Sequence, residues 1–354
     1  MKRRALGKTN LAVSEIGAGC WAIGGGAFNL GMGAGWDDVD EKEAIKGLFA
    51  SVELGINLFD TANVYGLGKS ERLLSLLWKE KRIKREDIIV ASKLGYFQGC
   101  AEHGYDLLNM QHQLEMSLRN LGSDYIDIYF FHHLDFGAND RYLENAVRLM
   151  IKFQDQGKIR FIGLRGPHRF SILRKQNINK SENEYERFIY LFNLINPAVI
   201  GVRYNMISPT FDKSETDIFE WAAEKKIGVV TYKPLGQGLL LDKYDPDNPP
   251  SFTDLDHRSR KRWFEEKGLR ILKEKIANLK NYFGISTTPE LVQLAIAYCL
   301  YKKTVSSVLV GFKNKTQLLE ALNISQELTK QDINFIQLNF KDINSEIGNF
   351  IEFK

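Results

Sequence analysis

The chain places an ionisable side chain where each of three successive apolar runs stops. Leu58-Phe-Asp60 leads into Thr-Ala-Asn-Val-Tyr65-Gly, Val90-Ala-Ser ends on Lys93, and Tyr129-Phe-Phe ends on His132 and His133. Taken singly, Asp60 reads as a turn or cap residue and Tyr65 as a packed aromatic with a wet hydroxyl. Lys93 reads as a snorkelling cation and His132 as a hydrogen-bonded core histidine. As a set they are chemically coherent. A phenol with a pKa of about 10 is a poor acid at neutral pH, and a nearby ammonium lowers that value by favouring the phenolate. A carboxylate beside the lysine holds and orients it, and a histidine hydrogen-bonds and polarises a carbonyl oxygen. Together these make a proton donor and an oxyanion site for carbonyl reduction. No side chain supplies a hydride, so the chemistry calls for a nicotinamide cofactor. A metal at His132, His133 and Asp135 is not expected, because neighbours on a strand point to opposite faces.

For these residues to converge, the runs that end in them must be neighbours. After a small hairpin around Leu6–Asn10, strands are predicted at Ser14–Cys20, Ile56–Thr61, Asp87–Lys93, Tyr125–His132, Arg160–Leu164, Ala198–Tyr204, Gly228–Lys233 and Val305–Gly311. Helix-period stretches separate them, among them Glu41–Leu54, Ser70–Glu80, Leu107–Leu121, Arg141–Gln156, Thr216–Lys225, Lys267–Phe283, Pro289–Tyr301 and Thr316–Leu322. The strands are continuous apolar runs, as parallel strands covered on both faces are. Strict alternation gives a (β/α)8 TIM barrel with an N-terminal β-hairpin and a C-terminal tail, whose chemistry sits at the C-terminal strand ends. Gly24-Gly-Gly26 lacks the spacing of a dinucleotide fingerprint and reads as a flexible loop. Asp245–Pro250 reads as a surface excursion in the seventh crossover.

A length of 354 residues admits two or three small domains or one large barrel. No interdomain linker is visible, so residues 1–354 are read as a single domain. Lys+Arg of 48 against Asp+Glu of 44 gives no reason to invoke nucleic acid. Cys20, Cys100 and Cys299 are odd in number and far apart, which excludes a disulfide scaffold and a zinc site of the usual spacing. The start lacks an apolar stretch after its basic residues, and no stretch approaches a membrane span. A cytoplasmic protein without membrane association is expected.

With these residues in place, the sequence resembles the aldo-keto reductase superfamily from about Leu6 to Leu322. Gly55-Ile-Asn-Leu-Phe-Asp-Thr-Ala-Asn-Val-Tyr-Gly66 with Gly68-Lys-Ser-Glu71 is similar to its most specific signature. Gly17-Ala-Gly-Cys-Trp21, Ser92-Lys-Leu-Gly95, Leu118–Asp127 leading to His132, Gly157–Gly163 and Tyr232-Lys-Pro-Leu-Gly-Gln-Gly-Leu-Leu240 also match. The resemblance implies a (β/α)8 barrel binding NADP(H), with Asp60, Tyr65, Lys93 and His132 as the catalytic set and Tyr65 as proton donor. It implies Tyr232 stacked on the nicotinamide, with Pro234, Leu235, Gly236 and Gly238 in the same cofactor-binding loop. Gly311, Lys313 and Gln317 fall at the phosphate end, where Lys313 meets a 2′-phosphate and the following helix offers N–H groups. Trp21, His133 and Arg165 are placed at the substrate pocket.

Two departures stand out. Where most members carry Ser-Asn after the fifth strand, the chain reads Gly163-Leu-Arg165-Gly-Pro-His-Arg169, and the usual glutamine of the sixth strand is Gly201. In the family those residues hold the nicotinamide carboxamide. Arg165, Arg169, Arg203 and Lys233 gather near strands five to seven and favour an anionic or sugar-like carbonyl substrate. The oligomeric state is left open. Two other functions use the same residues: a cofactor-binding regulatory module without efficient turnover, and a barrel enzyme doing non-redox proton transfer.

Overall fold

A computed structural model describes residues 1–80, 83–166, 184–208, 217–323, 327–341 and 343–347. Strands β1 (Arg3–Ala5) and β2 (Ala12–Ser14) pair as an antiparallel hairpin. Its turn plugs the barrel floor. Leu6 and Val13 are fully buried among inward residues such as Leu58, Ile128 and Leu309. Gly7 has φ +55°, and a Cβ there would lie 2.2 Å from the Gly228 nitrogen, so only glycine lets the turn press against the wall. With the floor closed, the mouth lies at the opposite end.

The wall begins with β3 (Ile16–Gly19), and a short hairpin of β4 (Phe28–Asn29) and β5 (Met32–Gly33) sits in the first loop. Then α1 (Glu41–Glu53), β6 (Leu58–Asp60), α2 (Lys69–Lys79), β7 (Ile89–Leu94), α3 (Leu107–Leu121), β8 (Ile126–Phe131), α4 (Leu143–Asp155) and β9 (Ile159–Arg165) alternate. They are followed by α5 (Glu184–Ile195), β10 (Val199–Arg203), α6 (Ile218–Glu224) and β11 (Gly228–Tyr232). Two helices, α7 (Glu266–Phe283) and α8 (Thr288–Tyr301), precede β12 (Val305–Gly311) and α9 (Lys315–Leu322). The eight wall strands are all parallel and close into a barrel through the β12–β3 pairing.

Local chemistry explains the element ends. Asp106 caps α3 by accepting from Leu108 and Asn109, and Gly122 at φ +58° stops it, so the predicted and observed bounds coincide. A Thr287–Glu290 capping box with Pro289 starts α8. The predicted strand Ile56–Thr61 shortens to Leu58–Asp60: the Asn57 side chain and N–H turn to the hairpin, through Ser14 and the Ala12 carbonyl, while the Asn57 carbonyl still accepts from the Ile89 N–H. The tail forms α10 (Lys330–Asn339) and α11 (Ile343–Ile347). It lies on α7 on the outside of the barrel, where Asn339 Nδ2 donates to the Lys275 carbonyl at 2.8 Å. No helix among the described residues is long and apolar enough to cross a membrane.

Candidate active site

Alternation along the strands puts every second residue inside the barrel. Leu58 and Ala91 face inward, and so therefore do Asp60 and Lys93 one step higher. Lys93 Nζ donates to Asp60 Oδ1 at 2.6 Å and to the Thr61 carbonyl at 2.6 Å. The same ammonium lies 4.8 Å from the centre of the Tyr65 ring. His132 meets Tyr65 edge to face, with ring centres 5.8 Å apart. The four predicted catalytic residues are thus one cluster.

Tyr65 sits on the turn between β6 and α2, with its N–H on the Ala62 carbonyl. Gly24 and Gly66 let the first loop lie directly on that turn. A Cβ on Gly66, at φ +59°, would fall 2.1 Å from the Gly24 carbonyl oxygen. Gly24 is therefore a buried close-approach position, not the flexible loop predicted from the glycine run. Trp21 stacks on Tyr65 at 5.7 Å and 23°, and its indole N–H donates to the Ala34 carbonyl. Behind β7, the fully buried Glu71 accepts from Ser92 Oγ at 2.7 Å and Asn120 Nδ2 at 3.0 Å. Glu71 buttresses the strand that carries Lys93. Its place in the Gly68-Lys-Ser-Glu71 signature was the only sequence signal for it.

Burial sets the protonation states. It pushes the Asp60 carboxyl up and the Lys93 ammonium down, against their mutual attraction. Tyr65 is corrected in direction: burial and then Asp60 raise its hydroxyl well above the ordinary range, with Arg165 opposing. The expected lowering by a neighbouring ammonium is overridden by desolvation, so the phenol keeps its proton across the physiological range. The His132 imidazolium is disfavoured by burial, then by Lys93 and Arg165, so the ring is neutral. Its Nδ1 is buried with no hydrogen-bond partner among the described residues. The cluster presents a protonated phenol and a neutral imidazole to one space.

On the far wall the Tyr232 ring points inward at the top of β11. The next residues turn sharply: Gly236 has φ +57° and Gly238 φ +90°, with Gly238 N–H on the Leu235 carbonyl after Pro234. Gly311 ends β12, and a Cβ there would meet only the Gly19 oxygen at 3.9 Å, leaving an open groove. An inward aromatic face, a glycine-lined turn and this groove fit a nicotinamide dinucleotide. Lys313 Nζ bonds the Asp37 and Asp38 carbonyls, and its N–H donates to Gln317 Oε1 at 2.9 Å. Lys313 thus ties the first loop to the start of α9.

The pocket positions divide. Trp21 joins the cluster. His133 turns to the loop behind, with Nε2 3.1 Å from the Gly95 carbonyl oxygen and its ring 4.5 Å from that of Tyr105. Arg165 points inward, and its hydrogen bonds go to Tyr232, Tyr96 and the His132 carbonyl. Arg203 is buried at the top of β10, and Arg169 lies outside the described residues. The Lys233 ammonium, 5.1 Å from the Trp21 ring centre, is driven well down by burial and by Lys261, Arg203 and Arg165. Sequence reasoning missed His257. It lies 4.2 Å from Trp21 and 4.9 Å from Trp36, and it bonds Gln237 and the Gly35 carbonyl. A lone histidine in the seventh crossover carries no signal that it meets the first loop. Among the described residues no group of three or more His, Cys, Asp or Glu is placed to hold a metal.

His132 and His257 are buried and His133 is half-buried, and all three are held below the ordinary histidine value, His133 at about 4. The unfolded chain therefore binds more protons than the fold once pH drops below about 6.5. Stability should fall from pH 6.5 toward 5, and His133→Gln should blunt the slope. Urea midpoints at several pH values measure both.

The sequence model of the Aldo/keto reductase family matches residues 15–338. An L-galactose dehydrogenase of Arabidopsis thaliana is 29% identical over 336 residues, covering 92% of this chain and 91% of its own. Among solved structures, the glycerol dehydrogenase AKR11B4 of Gluconobacter oxydans aligns with TM-score 0.71 at 23% identity, over 99% of this chain and 97% of its own. The holo form of aldo-keto reductase AKR11C1 from Bacillus halodurans aligns with TM-score 0.67 at 24% identity, over 96% of each chain.

Proposed function

The chain belongs to the aldo/keto reductase family, and from that premise we propose that it reduces an aldehyde, ketone or sugar carbonyl to an alcohol with NADPH. The observation that carries this reading is the cluster of a protonated Tyr65, a neutral His132 and the Lys93–Asp60 pair in one space. When bound, the cofactor supplies the hydride that reduces the carbonyl carbon. Tyr232, Pro234, Leu235, Gly236 and Gly238 would hold its nicotinamide half, and Gly311, Lys313 and Gln317 its phosphate end.

The chain's own residues supply the rest. Tyr65 donates its proton to the carbonyl oxygen as negative charge develops there. Lys93, fixed by Asp60 and the Thr61 carbonyl, places a positive charge beneath the ring to receive the phenolate. Neutral His132 orients the carbonyl by a hydrogen bond, and Trp21 walls the pocket. Because the Tyr65 hydroxyl is held far up and the Lys93 ammonium is held down, any alkaline fall in the reduction rate should follow loss of the Lys93 charge, not of the phenol's proton; a pH–rate profile measures it.

The test is spectroscopic. NADPH and NADH are added separately to the protein, quenching of its fluorescence is followed, and carbonyls are screened for loss of the reduced-nicotinamide absorbance. Turnover supports the reading. Binding without turnover would favour the regulatory module, a reading supported by Arg165 and Gly201 standing where the family's carboxamide contacts occur. Lys313→Ala should raise KM for NADPH about 10-fold, the loss of one charge-assisted contact, and spare NADH. The positive surroundings of Lys233 support an acidic or sugar-like substrate. An acidic group entering there would offset those cations and restore the Lys233 charge, so Lys233→Met should raise KM for acidic aldehydes and leave neutral ones unchanged.

A further inference from the structure

We propose that Arg165 is a positioning residue that fixes the Tyr232 and Tyr96 rings against the His132 side of the pocket, and that Gly201 is what lets it reach them. The proposal rests on the reading that the Tyr232 ring is the platform for the nicotinamide.

Arg165 is the last residue of β9 and pairs in register with Gly201 on β10. Tyr232 ends the strand beyond, paired with Arg203. Adjacent strands lie about 4.8 Å apart, so the guanidinium must cross about 10 Å of sheet to meet the Tyr232 hydroxyl. It does so, with Nε donating at 3.1 Å and its central carbon 5.7 Å from the ring centre. Residue 201 stands on the strand between them. A Cβ there would sit 3.8 Å from Tyr232 Cε1 and 3.7 Å from Phe130 Cε1, so a long side chain at 201 would crowd the ring that the arginine holds. Arginine at 165 and glycine at 201 are thus one device.

The other branch of the fork reaches back. Nη1 donates to the Tyr96 hydroxyl at 2.9 Å and to the His132 carbonyl at 3.4 Å. Tyr96 stands edge to face on the His132 ring at 4.6 Å and 73°. One planar cation therefore links the ring on β11 to the strand end that carries the carbonyl-orienting histidine. Lysine cannot reproduce this, because its single ammonium has no fixed fork. None of the three acceptors is a carboxylate, so the charge also acts on the cluster, disfavouring the His132 imidazolium and opposing the rise of the Tyr65 hydroxyl.

The test begins without cofactor. Protein labelled with 3-fluorotyrosine is compared with Arg165→Met by ¹⁹F NMR, the Tyr232 and Tyr96 signals being assigned by Tyr→Phe changes. Both signals should move in Arg165→Met and Gly201→Gln, and Arg165→Lys should not restore them. In turnover, kcat should fall about 10- to 100-fold, the range for hydrogen bonds to a charged group, while KM for the carbonyl changes less than about threefold. Arg165→Met with Gly201→Gln should be no worse than either change alone, since both remove the same link. Tyr96→Phe breaks one arm while leaving the guanidinium in place and should move the Tyr232 signal in a smaller degree. Unmoved Tyr232 and Tyr96 signals would overturn the proposal. So would a rise in KM confined to acidic substrates with kcat unchanged, which marks a substrate ligand. The NMR arm reads the cofactor-free protein, so it decides the tyrosine positions even if no carbonyl is reduced.

Discussion

Tyr65→Phe should lower kcat for carbonyl reduction by about 10²- to 10⁴-fold, the usual contribution of a positioned acid, and leave cofactor affinity within about twofold. The substitution removes one oxygen and keeps the ring. The stacking on Trp21 and the contact with the Lys93 ammonium survive, so the pocket keeps its shape. Tyr232 and Lys313, proposed to hold the cofactor, lie on other strands and loops. His132 cannot take over, because its imidazolium is suppressed by burial and by Lys93 and Arg165. The candidate substitute is Lys93. An ammonium has three protons, and two of them are committed to Asp60 and the Thr61 carbonyl. Any residual rate in Tyr65→Phe should therefore decline as pH rises through the lowered Lys93 value, because Lys93 is then both the proton donor and the cation beside the reacting oxygen. Single-turnover rates at several pH values, beside cofactor titrations by fluorescence, measure this. An unaltered kcat would remove Tyr65 from the chemistry, and loss of cofactor binding would make its role structural.

The strand ends were legible because each apolar run stops at a charged or polar group, and in a parallel barrel those stops share one rim. The Lys93–Asp60 pair followed from that geometry, since β6 and β7 are consecutive in sequence and neighbours in the wall. The Tyr65 proton was misread because the sequence shows a cation nearby but not the burial that outweighs it. Arg165 read as a substrate ligand for a similar reason. Its direction depends on a missing side chain at Gly201, one strand away, and on a tyrosine two strands away. The Trp21–His257–Trp36 contact joins the first loop to the seventh crossover, and no local pattern encodes such a meeting. The bonds of Lys313 to the Asp37 and Asp38 carbonyls depend on the path of that same first loop, which no local pattern shows.

The largest stability effect should come from Lys93→Met, about 3–5 kcal/mol of destabilisation, the cost of leaving a buried charge without its partner. Asp60 is 8% exposed, and its carboxylate has Lys93 at 2.6 Å as its ion-pair partner. Both members of the pair are shifted toward their neutral forms, the acid upward and the base downward, with burial the larger cause in each. Desolvation therefore exceeds attraction, and the intact pair does not stabilise the fold relative to two solvated charges. Two results follow. In Lys93→Met, Asp60 loses the cation that opposes its upward shift and should hold a proton to higher pH than in the wild type, so the loss should shrink as pH is lowered. The double variant Asp60→Asn with Lys93→Met removes both charges and should recover most of the lost stability, yet stay as inactive as the single variant. Urea unfolding of the two single variants and the double, at pH 7 and pH 5.5, measures the coupling. Additive losses would mean that the pair is held by something other than mutual charge. Recovered stability without recovered activity would place the two charges at this rim for what they do to Tyr65.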